Sequence, residues 1–358
     1  MSRLTRIRAE MHARGLTALL VTTPANIRYL SGFTSADGAL LITAEQEWLL
    51  TDFRYLLQAA QEAPAWSVAR VEHALIATAR RKLEELGQAH VGFEPDALTW
   101  TQYQQLGGGD ANVSYLLIPA VRLVEQLRLV KSVDEVAAIR QAVALTDAAY
   151  AHLLTLAQPG RTEQELALAA EWFMRMHGAD GVAFEIIVAA GVHSALPHAV
   201  PSARPLARGD LVIVDMGARC AGYCADMTRT FAIGDASARQ REIYQVCLRA
   251  QLAGEAGLHA GMSGHAADAL VREVIVDAGF GEYFGHGTGH GVGLEIHESP
   301  RLNRVAEEIL PAGAAVTVEP GIYLPEIGGV RIEDLVIVTE TGITILTAAP
   351  KPDELPVL

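Results

Sequence analysis

Cysteine is scarce in this 358-residue chain: Cys220, Cys224 and Cys247 are the whole complement. An odd set of three does not suggest a disulfide framework. Cys220 and Cys224 stand four apart with no second pair beside them, so they read as hairpin residues and not as a metal pair. Positive charge is also in deficit, 28 Lys and Arg against 42 Asp and Glu, for a formal net charge of -14. That balance argues against phosphate-backbone binding, and no nucleic-acid partner is expected. No run approaches the ~18 to 20 apolar residues of a membrane span. The segment Met1-Ser2-Arg3-Leu4-Thr5-Arg6-Ile7-Arg8 lacks the apolar core of a signal peptide, so a cytoplasmic protein without membrane contact is expected. Low-complexity segments are missing too. What remains is ordinary globular composition, half apolar and one fifth charged, which is wrong for disorder. The length exceeds what one core usually supports and predicts two domains.

The first ~120 residues alternate helical and strand signals, as an α/β domain does. Arg3 to Ala13 reads as an amphipathic helix ended by Gly15, Leu16 to Val21 as a buried strand, and Gly38 to Thr43 and Trp48 to Asp52 as further strands. His73 to Leu86 reads as helix and Val113 to Ile118 as a last strand. No cluster of ligand-type residues occurs there. A second unit begins near Val124, giving predicted domains 1–123 and 124–358. Ser132 with Glu135 forms a capping box for a long helix from Val133, and Thr162 with Glu165 repeats the device. After Gly178 the pattern turns β-rich, interrupted by helices near Ala238 to His259 and Gly264 to Ala278. Each half of this unit supplies a helix pair and an acidic hairpin, the residue of an internal duplication.

The chemistry concentrates in three places. Phe284 to Glu298 carries three imidazoles, His286, His290 and His297, within twelve residues and among five glycines, which read as room for a ligand or metal to approach the backbone. The four-residue spacing of His286 and His290 would suit a zinc-binding helix, but the glycines argue for a loop and strand. Upstream, Leu211 to Met216 and Cys224 to Thr230 read as antiparallel arms. With the turn centred between Cys220 and Ala221, Asp215 falls directly opposite Asp226. Two ionised carboxylates so placed repel, and a bound cation removes the penalty; a solvated hairpin end is the plainer alternative. Downstream, Glu319 ends an apolar strand, while Arg331 and Glu333 share a strand face. Arg331 and Glu333 could form only a surface ion pair, but their apolar neighbours favour a buried carboxylate. Four buried acids require cations, and two share the ligands better than one.

In order, Asp215, Asp226, His290, Glu319 and Glu333 resemble the five-ligand dinuclear site of the pita-bread metallopeptidases. The phrases around His198 (Ser194-Ala195-Leu196-Pro197-His198), His286 to His290, Glu295 to Glu298, Val318 to Tyr323 and Gly329 to Asp334 resemble the Xaa-Pro branch of that family, and the resemblance spans about Val124 to Thr347. It implies an α+β fold: a pita-bread catalytic domain with an internal pseudo-two-fold, preceded by an α/β creatinase-like N-terminal domain that covers the active site and mediates oligomerisation. It implies two divalent ions, Mn²⁺ first and Co²⁺ or Zn²⁺ as alternatives, with Asp215 on one, His290 and an oxygen of Glu319 on the other, and Asp226 and Glu333 bridging. Glu319 resembles the family's proton acceptor, and His198 and His297 its groups for the tetrahedral intermediate and the departing proline nitrogen. His286, Tyr323 and Arg331 resemble the shell of the proline pocket. Arg301 could hold a dipeptide carboxylate or be a surface arginine. The activity implied is release of the first residue from peptides with proline second, as an Xaa-Pro aminopeptidase; an Xaa-Pro dipeptidase is the alternative. A non-catalytic peptide-binding module would show degraded ligands, and all five are present. A homodimer or homotetramer is expected.

Overall fold

The computed structural model describes residues 1–358 and divides into two compact units, Met1–Arg128 and Leu129–Leu358. The helix Leu123–Arg128 belongs to the first unit, five residues beyond the change of pattern seen in the sequence.

The first unit is built on a six-stranded mixed sheet in the order Ser67–Val71, Glu47–Asp52, Ala39–Thr43, Ala18–Val21, His90–Phe93, Leu116–Pro119. Ala18–Val21 lies near the middle, antiparallel to Ala39–Thr43 and parallel to His90–Phe93, with all four of its residues buried. Burial on both faces explains its unbroken apolar run. The helix Arg3–Ala13 forms where the sequence predicts it, with Ser2 accepting from the Thr5 amide. The helices Pro24–Ser31 and Leu56–Glu62 escape the sequence reading; both are short.

In the second unit two helix pairs back two antiparallel sheets. Val133–Leu156 and Glu163–Met176 start at the capping boxes of Ser132 and Thr162. A third box, Ser237 with Gln240, starts Ala238–Gly257, which packs on Gly264–Asp277. Leu211–Met216 is the central strand of one sheet, between Ile187–Ala190 and Met227–Ala232. The other sheet runs Glu298–Leu302, Gly289–Gly291, Ala315–Val318, Asp334–Thr339, Gly342–Ile345. Each half packs its own apolar core, one around Leu153, Val212 and Phe231, the other around Ile243, Val271 and Val316. The repeated helix pair, sheet and core make up the α+β fold with its internal pseudo-symmetry.

The register of the first hairpin differs from the sequence expectation. The turn lies at Ala221-Gly222, both with positive φ, and Arg219 pairs with Cys224. A two-residue turn of this hand needs φ > 0 at both central positions, so the glycine takes the second of them. Asp215 therefore faces Thr228, with Met216 facing Met227. Continued along the strands, this register leaves Asp226 level with Gly217, one diagonal step from Asp215.

Candidate metal centre and cleft

Both acidic hairpins end at one cleft of about 460 Å³ inside the second unit. In the second hairpin Val318 pairs with Asp334 and Gly321 with Arg331, so the register between them sets Glu319 opposite Glu333. The glycine-rich strand Gly289–Gly291 pairs with Ala315–Val318 on one side and Glu298–Leu302 on the other, which carries His290 to the same place. A carboxylate oxygen of Asp226, a ring nitrogen of His290 and a carboxylate oxygen of Glu333 lie within 4.8 Å of one another, all three residues buried. Glu319 joins them, its Oε1 3.4 Å from His290 Nε2, while Asp226 Oδ2 is 3.5 Å from the same nitrogen.

Hydrogen bonds fix how each group points. His290 Nδ1 is 3.0 Å from the carbonyl oxygen of Gly291, which can only accept, so the proton sits on Nδ1 and the Nε2 lone pair faces the carboxylates. Burial lowers the His290 pKa to about 3 and keeps the ring neutral. Asp226 and Glu333 are both pushed well above the carboxylate range, first by burial and then by the neighbouring acids. Glu319 rises to about 8, with burial again the largest cause. Asp215 behaves differently: its Oδ2 accepts from Arg331 at 2.5 Å, and its Oδ1 is buried without any hydrogen-bond partner. An orphaned carboxylate oxygen, three more acids that repel one another, and one imidazole lone pair are a donor set suited to hard divalent cations.

The remaining candidates are arranged around this group. His198, His286, His297, Arg301 and Arg331 line the cleft. The rings of His290 and His297 meet edge to face at 4.4 Å. Burial, and after it Arg301, lowers the His297 pKa. Tyr323, read from the sequence as a substrate-pocket residue, is absent from the cleft wall and stands behind it. Its hydroxyl accepts from Arg331 at 2.8 Å and donates to His286 Nε2 at 2.8 Å, while His286 Nδ1 donates to the Gly287 carbonyl. Burial and Arg331 bring the His286 pKa to about 4, so it accepts as a neutral ring. Arg331 is paired with Asp215 and not with Glu333, and its guanidinium also reaches the Pro197 carbonyl at 3.2 Å. Arg301 is exposed and faces the cleft with no ion-pair partner.

A scan of the chain against protein-family models matches residues 137–340 to "Metallopeptidase family M24" and residues 3–130 to "Creatinase/Prolidase N-terminal domain". The chain belongs to metallopeptidase family M24. Among solved structures it is similar to an Xaa-Pro dipeptidase from Bacillus anthracis, 42% identical with a TM-score of 0.94 and 99% of each chain covered. An X-Pro aminopeptidase from Thermotoga maritima is 34% identical with a TM-score of 0.88, covering 98% of this chain and 100% of that one. Among curated relatives, an Xaa-Pro dipeptidase of Pyrococcus furiosus is 35% identical over 350 residues, 96% of this chain and 97% of its own.

Several residues that serve this M24 site escape the sequence reading. Thr228 donates to Glu333 Oε2 at 2.6 Å and Thr317 to Glu319 Oε1 at 3.2 Å, each hydroxyl steering one carboxylate. Arg229 holds the Glu333 carbonyl at 2.6 Å and the Asp334 carboxylate at 2.6 Å. Arg272, paired with Asp268 one helical turn away, donates to the carbonyls of Phe284 and His286 and pins the glycine-rich loop. Only the i, i+4 spacing of Asp268 and Arg272 is a sequence signal, and many surface pairs share it. Two of the glycines also have a packing role. A methyl group at Gly289 would overlap the Thr317 carbonyl, and one at Gly291 the Ser299 carbonyl. Neighbouring strand backbone approaches both positions closely, and Gly289 also lines the cleft.

Proposed function

We propose that this chain hydrolyses the peptide bond before proline at a centre of two divalent cations, with Xaa-Pro dipeptides as the first substrates. The observation that carries the reading is the convergence of Asp226, His290 and Glu333 in one buried group, with Glu319 and the orphaned oxygen of Asp215 beside it. Asp215 would chelate one cation, His290 and Glu319 the other, and Asp226 and Glu333 would bridge, with Mn²⁺ the first candidate for this oxygen-rich set. When bound, such a pair lowers the pKa of a shared water and polarises the scissile carbonyl.

The protein's own groups take the remaining tasks. Glu319 accepts the proton of the attacking water; Thr317 holds its Oε1, which leaves Oε2 for the transfer. His297 and His198 stabilise the tetrahedral intermediate and help pass to the leaving nitrogen the proton that Glu319 took from the water. Proline offers no N–H in the scissile amide, so the site needs no acceptor there. Phe184, Ile187 and Ile296 give the cleft apolar wall for side chains and the ring. The unpaired Arg301 guanidinium is suited to the carboxylate that a dipeptide bears directly after proline. The names of the Bacillus anthracis and Pyrococcus furiosus relatives agree with that preference.

The aminopeptidase reading expected from sequence is the second, favoured by the Thermotoga maritima structure. Purified protein with Mn²⁺ assayed on an Xaa-Pro dipeptide and an Xaa-Pro-Xaa tripeptide separates the two. Faster turnover of the dipeptide is expected, faster turnover of the tripeptide returns the aminopeptidase to first place, and hydrolysis of neither rejects both. We further propose that the N-terminal unit serves oligomerisation, with a dimer or tetramer the expected result of light scattering.

A further inference from the structure

His198 lines the cleft, yet its side chain makes no hydrogen bond or ion pair of its own. Its ring is placed entirely by the loop that carries it, from the end of the strand Ile187–Ala190 to Ser202. That loop converges on a single carboxylate. Glu163, the first residue of the helix Glu163–Met176, is fully buried. Its Oε1 accepts from the Ala190 amide at 2.8 Å. Its Oε2 accepts from the Ser202 amide at 3.0 Å and the Ser202 hydroxyl at 2.7 Å. His193 Nδ1 lies 2.9 Å from both oxygens. The start of the loop, its first turn and its end are thus tied to one rigid group.

We propose that Glu163 is a positioning residue for His198, a staple that sets where this imidazole stands in the cleft. Two further ties lie inside the loop: the Ser194 hydroxyl accepts from the Gly329 amide at 2.8 Å, and Arg331 donates to the Pro197 carbonyl at 3.2 Å. Both attach the middle of the loop to the second hairpin; only Glu163 joins its two ends. A carboxylate is required because donors surround it on every side. A glutamine amide would turn one NH₂ toward the Ala190 amide or the Ser202 amide and break that tie. The helix N-terminus adds to the stability of the negative charge, but the loop amides and the hydroxyl select it.

This inference rests on the reading of His198 as a catalytic group, and the test separates the two. Glu163→Gln should lower kcat by about 10- to 100-fold with KM changed less than about twofold, the cost of misplacing one catalytic group. Because Glu163 acts through His198, the double variant Glu163→Gln with His198→Ala should turn over no more slowly than His198→Ala alone. In histidine-labelled protein the His198 ring resonance, identified by its loss in His198→Ala, should shift or broaden in Glu163→Gln. Additive losses in the double variant, or an unmoved ring resonance, overturn the proposal. If Glu163→Gln does not fold, Ser202→Ala and His193→Ala each remove part of the staple. Each should give a smaller kcat loss with the same non-additivity, and unchanged kcat in both overturns it. If the wild type hydrolyses neither substrate, the functional reading falls, and the resonance comparison still decides the positioning.

Discussion

Asp226 and Glu333 are 5% and 2% exposed, and each has other carboxylates for neighbours. Their raised pKa values carry a sign. A carboxylate whose folded pKa exceeds its unfolded value binds its proton more tightly in the folded state, so without cations stability falls as pH climbs from the unfolded pKa through the raised one. At neutral pH these acids therefore destabilise the metal-free protein, and cations reverse the effect. Asp226→Asn and Glu333→Gln should then act in opposite directions on two measurements. Thermal unfolding in chelator should move up, by roughly 2–4 °C for each kcal/mol relieved. The increase on adding Mn²⁺ should vanish, together with bound metal by elemental analysis and with turnover. A metal-dependent increase that persists in either variant would exclude that residue from the ligand set.

At the scale of elements, the hairpin Leu211 to Ala232 sets the position of two acids through its turn. Ala221 sits at φ +47° and is exposed, a conformation that costs an L-residue roughly 1–2 kcal/mol. Ala221→Gly should relieve the strain, and after the entropy that glycine adds to the unfolded chain the gain should be about 0.5–1 kcal/mol in denaturant melts. Loss of stability would mean that the methyl group packs in a way the exposed turn gives no reason to expect. The strands and their acids were legible here because Leu211 to Val214 is an unbroken apolar run ending in Asp215. The register differs from the sequence expectation because the turn is centred between Ala221 and Gly222, one residue later along the chain. Gly222 held the missing information, since the second turn position favours glycine. In the second hairpin the register sets Glu319 opposite Glu333.

For the whole molecule, the two units bury separate cores, one around Leu20, Leu41 and Leu83 in Met1–Arg128 and two in Leu129–Leu358. Every candidate ligand belongs to the second unit. Calorimetry should therefore resolve a transition that rises with Mn²⁺, by about 2.7 kcal/mol at a hundredfold excess over Kd, and one that does not. A single transition that moves as one would show that the units unfold together. No helix is long and apolar enough to cross a membrane.

The sequence by itself determined the family, the α+β class and the set of acids and imidazoles, because capping boxes, apolar strand runs and five ordered motifs are local patterns that survive being read in one dimension. Tertiary structure alone decided the rest. It paired Arg331 with Asp215 across 116 positions, placed Tyr323 behind the wall, and packed Gly289 and Gly291 closely against neighbouring strands. It also gathered the loop of His198 onto Glu163, which reads along the chain as an ordinary helix-start acid. Those facts depend on which backbones approach each other, and that approach is fixed by burial of the two half-cores, not by any local spacing.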